Sequence, residues 1–374
     1  MSGAAATGPT QVPSGTTDVG NTSPTRVKWR DWNRRVAKVK AGDTAAIADL
    51  QALGKGGFSD GVFHIERKRR LGKDEEFAVK LSVNSEDQPT AVETLLHEVQ
   101  FTQELDHENI RKVRSRVHVN RSGDVATALF EYVQGVDLYE LTEQSLFPRT
   151  PPTTGLNAIS AYPGAVFVIM KVLRALQYLH SLGVVYNDMK PENVLVGANS
   201  LLGIYESTPV KLIDMGLAFR LGSEDAFKIR GSRDWMSPES FPQPGKPQVA
   251  KTCASDVFSF GLVIYALFTG RPLIVWKDYE GNSSRHYVKL CARRAHDVLL
   301  ELDNMLVFSN IKELVMGCLS QRPQLRPTVP MILQLEMFTN PPPLRTCSMP
   351  ELSAGTPLEG SRPEPRAART RDST

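Results

Sequence analysis

Val184-Val185-Tyr186-Asn187-Asp188-Met189-Lys190-Pro191-Glu192-Asn193-Val194 is a polar loop held between two short apolar runs. Asp188, Lys190 and Asn193 fall within six positions of one another. A carboxylate can receive a hydroxyl proton, an ammonium can neutralise phosphate, and an amide oxygen can hold Mg²⁺, so this spacing suits phosphoryl transfer. Alone, a polar turn containing proline reads equally well as a turn and nothing more. The loop gains meaning from what precedes and follows it.

Upstream, Leu53-Gly54-Lys55-Gly56-Gly57-Phe58 introduces a glycine cluster ahead of the strand-like run Val62 to Ile65. Glycines there let backbone N–H groups approach a phosphate, although a hairpin turn has the same composition. Glu66 to Glu76 reads as an exposed hairpin tip; its Arg67–Arg70 cluster fits a solvated turn and, less simply, a nuclear-import signal. Phe77-Ala78-Val79-Lys80-Leu81 is an apolar strand with one lysine, which needs a partner or a ligand if buried. Glu93 to Leu105 reads as a helix carrying Glu98. Strands are expected over Val113 to Val119 and Ala126 to Val133, with Gln134 to Asp137 as a linker.

Downstream, the pattern turns helical. Ser145 to Pro163 is expected as a loop, Ala165 to Leu182 as a long helix, and Ala254 to Gly270 as a buried central one. Val194–Val196 and Val210–Ile213 read as short strands ending at Asp214. Helices are expected again over Arg285–Leu302, Ile311–Leu319 and Val329–Phe338. The shift from strand-rich to helix-rich composition divides an α+β chain into a bilobal fold. The boundaries are 48–133 for the smaller lobe and 134–338 for the larger. They are flanked by an N-terminal extension (1–47, disordered to about 25, then a short helix bearing Trp29 and Trp32) and a disordered tail (339–374).

The chain has 374 residues, 41% apolar and 23% charged, with a net charge of +3, which demands neither a nucleic-acid nor a membrane partner. Four widely spaced cysteines form no Cys-x-x-Cys pair and suit a reducing compartment. The apolar run Phe258 to Phe268 is too short to span a bilayer, and the polar, Gly/Ser/Thr/Pro-rich N-terminus lacks a secretory h-region. A cytoplasmic monomer, with nuclear entry through Arg67–Arg70 as an option, is the expectation.

From about Leu50 to Phe338 the chain resembles the eukaryotic protein kinase family, with its motifs in the family's order. The resemblance implies ATP, Mg²⁺ and a protein substrate. Leu53, Gly54, Lys55, Gly56, Gly57, Phe58 and Val62 would form the glycine-rich loop region, and Ala78 and Lys80 the strand motif whose lysine holds the α/β-phosphates. Glu98 would pair with Lys80. Phe130 would be the gatekeeper, Glu131 and Val133 the hinge, Asp137 a ribose contact, and Leu195 part of the nucleotide lining. Asp188 would accept the substrate proton, Lys190 neutralise the γ-phosphate, and Asn193 and Asp214 hold Mg²⁺. Asp214 to Glu239 would be the activation segment, steadied by Ser232 and by Arg326, the expected partner of Glu239.

Lys190-Pro191-Glu192-Asn193 with Ser232 is similar to serine/threonine rather than tyrosine kinases. Presence of Lys80, Asp188 and Asp214 speaks against the alternative, a pseudokinase acting as a binding or scaffold module. Several positions depart from the pattern: Ser59 and Gly61 in the glycine loop, Met215 for phenylalanine, Tyr186 for histidine, and Asn187 for arginine. A neutral amide at 187 cannot make the bidentate contact by which arginine reads a phosphate. Between Leu217 and Ser232 there is no threonine, and Glu224 and Asp225 already supply negative charge, so activity without activation-segment phosphorylation is expected.

Overall fold

The structure is a computed structural model and describes residues 26–40, 43–50, 52–53, 61–69, 73–143, 155–242, 245, 247–275, 291, 294 and 309–344. The smaller lobe is a five-stranded sheet backed by one helix. Strands β1 (Val27–Lys28), β2 (Gly61–Arg67), β3 (Glu75–Val83), β4 (His118–Val119) and β5 (Val125–Glu131) lie in the order β1-β2-β3-β5-β4. The central antiparallel ladder sets Val62 opposite Lys80 on one side of β3 and Ala128 opposite it on the other. Helix α1 (Trp29–Val36) buries Trp32 against Phe63, with ring centres 5.1 Å apart, so the segment before residue 48 shares a core with Val79 and Leu81. Helix α2 (Ala91–Gln103) packs Val92, Leu95 and Val99 on the other face, against Ala78, Ala128 and Phe130.

In the larger lobe, α3 (Leu138–Glu143), α4 (Gly155–Ser181) and α5 (Cys253–Thr269) surround the main core. Every residue of α5 from Ser255 to Thr269 is buried. Its ends are specified locally: Thr252 and Ser255 form a capping box, and Gly270 closes the helix at φ 69°. Short strands β6 (Val136–Asp137), β8 (Val194–Val196) and β9 (Val210–Leu212) form a small sheet, while β7 (Val184–Val185) pairs with β10 (Phe219–Arg220). Helices α6 (Ser309–Cys318), α7 (Val329–Ile332) and α8 (Glu336–Thr339) complete the lobe.

Four expectations change. The strand expected over Val113 to Val119 shrinks to His118–Val119, because the Ser115 hydroxyl accepts the Leu129 N–H at 2.9 Å and interrupts the ladder. Part of the expected linker, Val136–Asp137, is a strand paired with Leu195 and Val196. Helix α4 begins at Gly155 and carries Pro163 within it rather than after a loop; the following Gly164 allows the Leu201 carbonyl so close that a Cβ there would lie 2.1 Å from it. The helix expected over Val329–Phe338 is two short ones, since Leu335 is extended (φ −64°, ψ 144°). The Arg285–Leu302 helix falls almost entirely outside the described residues, as do residues 1–25, most of the Ser145–Pro163 loop before Gly155, and the tail from 345.

Candidate active site

Strand β3 carries Lys80 into the space between the lobes, where its ladder neighbours leave only the side chain free to reach out. Lys80 Nζ lies 2.6 Å from Glu98 Oε2 and 2.9 Å from Asp214 Oδ2. Both Lys80 and Glu98 are buried, whereas the Asp214 side chain keeps 26% exposure and so opens the cluster to the cleft. Burial alone would lower the lysine, but Asp214 and Glu98 hold its pKa above the ordinary value. Burial raises Asp214, and Lys80 more than reverses this, leaving it below the ordinary value. Glu98 is raised, by burial and by Asp214, against the pull of Lys80 and Arg111.

The polar loop of residues 186–193 is hung on one buried carboxylate. Asp256, near the start of α5, accepts the backbone N–H groups of Tyr186 and Asn187, both at 2.8 Å, and contacts His180 Nε2 at 2.9 Å. This clamp holds Asn187 at φ 66°, a left-handed conformation costly for a residue with a side chain. Asp214 has φ 61°, also uncommon, and its Oδ1 accepts the Gly216 N–H at 3.1 Å. Tyr186 is fully buried and gives its hydroxyl proton to the Ile213 carbonyl, joining the two strained segments. Met215 is buried in the same core. Tyr186 and Met215 thus fill interior positions despite departing from the family pattern.

Within the loop, Asp188 is fixed from three sides. Asn193 Nδ2 donates to its Oδ2 at 2.9 Å, and the Ser232 N–H and hydroxyl donate to its Oδ1 at 3.1 and 3.0 Å. Lys190 Nζ lies 3.2 Å from Asp188 Oδ2 and donates to Ser232 Oγ at 2.8 Å. Burial pulls the Lys190 pKa down and Asp188 and Glu192 push it above the ordinary lysine value, which keeps an ammonium beside the carboxylate. An oriented carboxylate next to an ammonium can accept a hydroxyl proton and stabilise a developing anion.

The stretch from Asp214 to Glu239 is tied down at both ends. Arg326 donates to both Glu239 oxygens, at 2.6 and 2.8 Å, as the resemblance anticipates. At the other end, Asn187 Nδ2 donates to the Leu217 carbonyl at 3.0 Å, and its Oδ1 accepts from Lys251 Nζ at 2.7 Å. Lys251 also lies 5.3 Å from the Phe219 ring centre, and its backbone N–H bonds to the Ala226 carbonyl at 3.0 Å. Neither Lys251 nor Arg111 stands in a motif of the sequence. Each is a cation in a segment that reads as polar connection, and its burial depends on contacts remote in the chain.

The other anticipated residues divide three ways. Val62, Ala78 and Phe130 pack together in the smaller lobe's second cluster, facing α2. Glu131, Val133, Asp137 and Leu195 lie along the joint between the lobes, where Glu131 pairs with Lys211 and Asp137 Oδ1 accepts the Glu140 N–H at 2.9 Å, capping α3. Leu53 donates its N–H to the Val62 carbonyl, while Gly54, Lys55, Gly56, Gly57 and Phe58 lie outside the described residues. Asn193 spends its amide N–H groups on Asp188, which leaves its amide oxygen as an acceptor, and its backbone carbonyl accepts the Ile213 N–H at 2.9 Å, which sets residue 193 beside the chain leading into Asp214. Two oxygen donors, one carboxylate and one amide, fit Mg²⁺, which takes few protein ligands when phosphates complete its shell. Among the described residues no group of three or more His, Cys, Asp or Glu could hold a metal by itself.

The protein kinase domain family model matches residues 47–338. Curated relatives include the cytokinesis protein sepH of Aspergillus niger, 30% identical over 242 residues, covering 64% of this chain and 16% of the relative. The serine/threonine-protein kinase TIO of Arabidopsis thaliana is 26% identical over 289 residues (76% and 18%). Cell division control protein 7 of Schizosaccharomyces pombe is 28% identical over 220 residues (59% and 18%). The chain therefore spans less than a fifth of the length of these three relatives. With its ordered motifs, its two-lobed fold and a family match over most of its length, the chain belongs to the protein kinase domain family.

Proposed function

We propose that the chain is an active ATP-dependent protein kinase that transfers the γ-phosphate to serine and threonine hydroxyls of protein substrates. The observation that carries this reading is the Asp188–Ser232–Lys190 arrangement, in which the carboxylate is oriented by three hydrogen bonds and faced by an ammonium. When bound, Mg·ATP supplies the phosphoryl group and shields its charge. Asn193 and Asp214 would hold the metal, and Lys80, fixed by Glu98, would orient the nucleotide phosphates. Asp188 would take the proton of the incoming hydroxyl, and Lys190 would offset charge on the transferred group. Val62, Ala78, Phe130, Glu131, Val133 and Leu195 would enclose the adenine, with Gly54 to Phe58 above the phosphates.

The tie Leu217–Asn187–Lys251 supports activity that does not wait for a phosphate in the activation segment, because the joint is made from neutral and cationic groups already present. We place the protein in the cytoplasm as a monomer, with nuclear entry through the Arg67–Arg70 cluster as a further option; no described helix is long and apolar enough to cross a membrane. Incubation with labelled ATP, Mg²⁺ and mixed protein substrates, followed by phosphoamino-acid analysis, tests the reading. Label on serine and threonine but not tyrosine is expected. Absence of any transfer would leave a binding module on a kinase fold, and label confined to tyrosine would refute the hydroxyl specificity.

A further inference from the structure

Arg111 stands immediately after Ile110 in the connection leaving α2, and its side chain is only 5% exposed. Its backbone N–H bonds to the Leu212 carbonyl at 3.0 Å, which pins the residue to the strand that leads into Asp214. The guanidinium lies 4.3 Å from the centre of the Phe130 ring, and Nη2 is 3.6 Å from Glu98 Oε1. Arg111 Nε and Glu98 Oε1 have no hydrogen-bond partner. Arginine does not shed its proton in proteins, so the buried charge has to be balanced by the carboxylates it faces. Glu98 and Asp214 act on it most strongly, and the weaker influence of Glu131 is already offset by its own ion pair with Lys211 at 3.0 Å.

The nucleotide end of the site therefore holds four charged groups: Lys80 and Arg111 against Glu98 and Asp214. Without Arg111 the set carries a net negative charge, and a polyphosphate would be repelled unless a metal covered Asp214. With Arg111 the sum is zero. We infer that Arg111 is a positioning and charge-balancing residue that allows this site to hold ATP without a divalent cation. The inference rests on the nucleotide-site reading above and concerns binding, separately from phosphoryl transfer.

Calorimetric titration of the full chain with ATP, once with Mg²⁺ and once with EDTA, tests it. The wild type is expected to bind in EDTA within tenfold of its affinity in Mg²⁺. Arg111→Met should weaken binding in EDTA at least tenfold and binding in Mg²⁺ less than threefold, and Arg111→Lys should restore the EDTA affinity. Thermal unfolding checks that the variants fold; should Arg111→Met not fold, the wild-type ratio and the lysine variant decide. Wild-type binding that weakens more than tenfold in EDTA overturns the inference alone, as does an Arg111→Met protein indistinguishable from wild type. Absence of binding both with Mg²⁺ and with EDTA overturns this inference and the proposed function together.

Discussion

Two buried ion pairs join distant parts of this chain, and they are built to different standards. Arg326 and Glu239 are nearly saturated: besides the two bonds between them, Arg326 donates to the Ser320 and Ala254 carbonyls and Glu239 accepts the Ser255 hydroxyl at 2.8 Å. Burial raises the Glu239 carboxyl, yet Arg326 brings it below its ordinary value. Lys80 and Glu98 are as deeply placed, but Glu98 Oε1 and the neighbouring Arg111 Nε are left without hydrogen bonds, and the Glu98 carboxyl is raised. Buried polar atoms without partners cost stability, so a fold keeps them where something else is gained. The saturated pair fastens Glu239 to the core; the unsaturated one lies at the proposed nucleotide site.

The first way to break this comparison is to remove one partner from each pair. Arg326→Met leaves the Glu239 carboxylate buried without its cation, which typically costs about 3–5 kcal/mol. Urea unfolding should show that loss, while nucleotide affinity of the folded fraction stays within about threefold. Lys80→Met should behave oppositely: phosphoryl transfer falls about a hundredfold or more, but stability changes less than in Arg326→Met, because Glu98 keeps a second cation, Arg111 Nη2, 3.6 Å from its Oε1. Equal stability losses in the two variants would erase the distinction.

A smaller effect is expected at the Asn187 joint. Burial lowers the Lys251 amine to about 8, against the opposing pull of Asp256 and Asp225 and with Arg230 adding to the fall. Between pH 8 and the ordinary lysine value, the closed joint binds fewer protons than one in which Lys251 reaches water, so raising the pH through this window favours closure. Hydrogen exchange at Leu217 to Phe219, corrected for intrinsic rates, should slow by about tenfold from pH 7 to 9 relative to Lys251→Met; identical corrected profiles would count against the joint. The smallest effect belongs to Ser223, which makes no side-chain cap on the turn that follows it. Ser223→Ala should leave the rate of phosphoryl transfer nearly intact, and a loss above about tenfold would show that activation-segment phosphate is needed after all.

What the sequence made legible follows from how each residue is constrained. Lys80, Glu98, Asp188, Asn193, Asp214, Glu239 and Arg326 sit in ordered motifs whose spacing survives without any knowledge of tertiary contacts, and the structure brings Lys80 to Glu98 and Asp214, Asn193 to Asp188, and Arg326 to Glu239. Arg111 and Lys251 carry no such mark. A cation between Ile110 and Lys112, or in the polar approach to α5, reads as solvent-facing until strands and helices from elsewhere bury it. Local rules misled in the same manner at Pro163, where proline reads as a helix boundary, and at Ser115, whose hydroxyl takes over a bond expected of the backbone.

The central claim concerns Asp188, and one pair of proteins tests it most directly. Wild type and Asp188→Asn, each saturated with labelled ATP and Mg²⁺ and supplied with the same protein substrate, should bind nucleotide equally. Their transfer rates should differ by about a hundredfold or more, since the amide keeps the shape of the side chain and loses its capacity to accept a proton. Equal transfer by the two proteins would contradict the assignment of Asp188 as the proton acceptor and, with it, the account of this site.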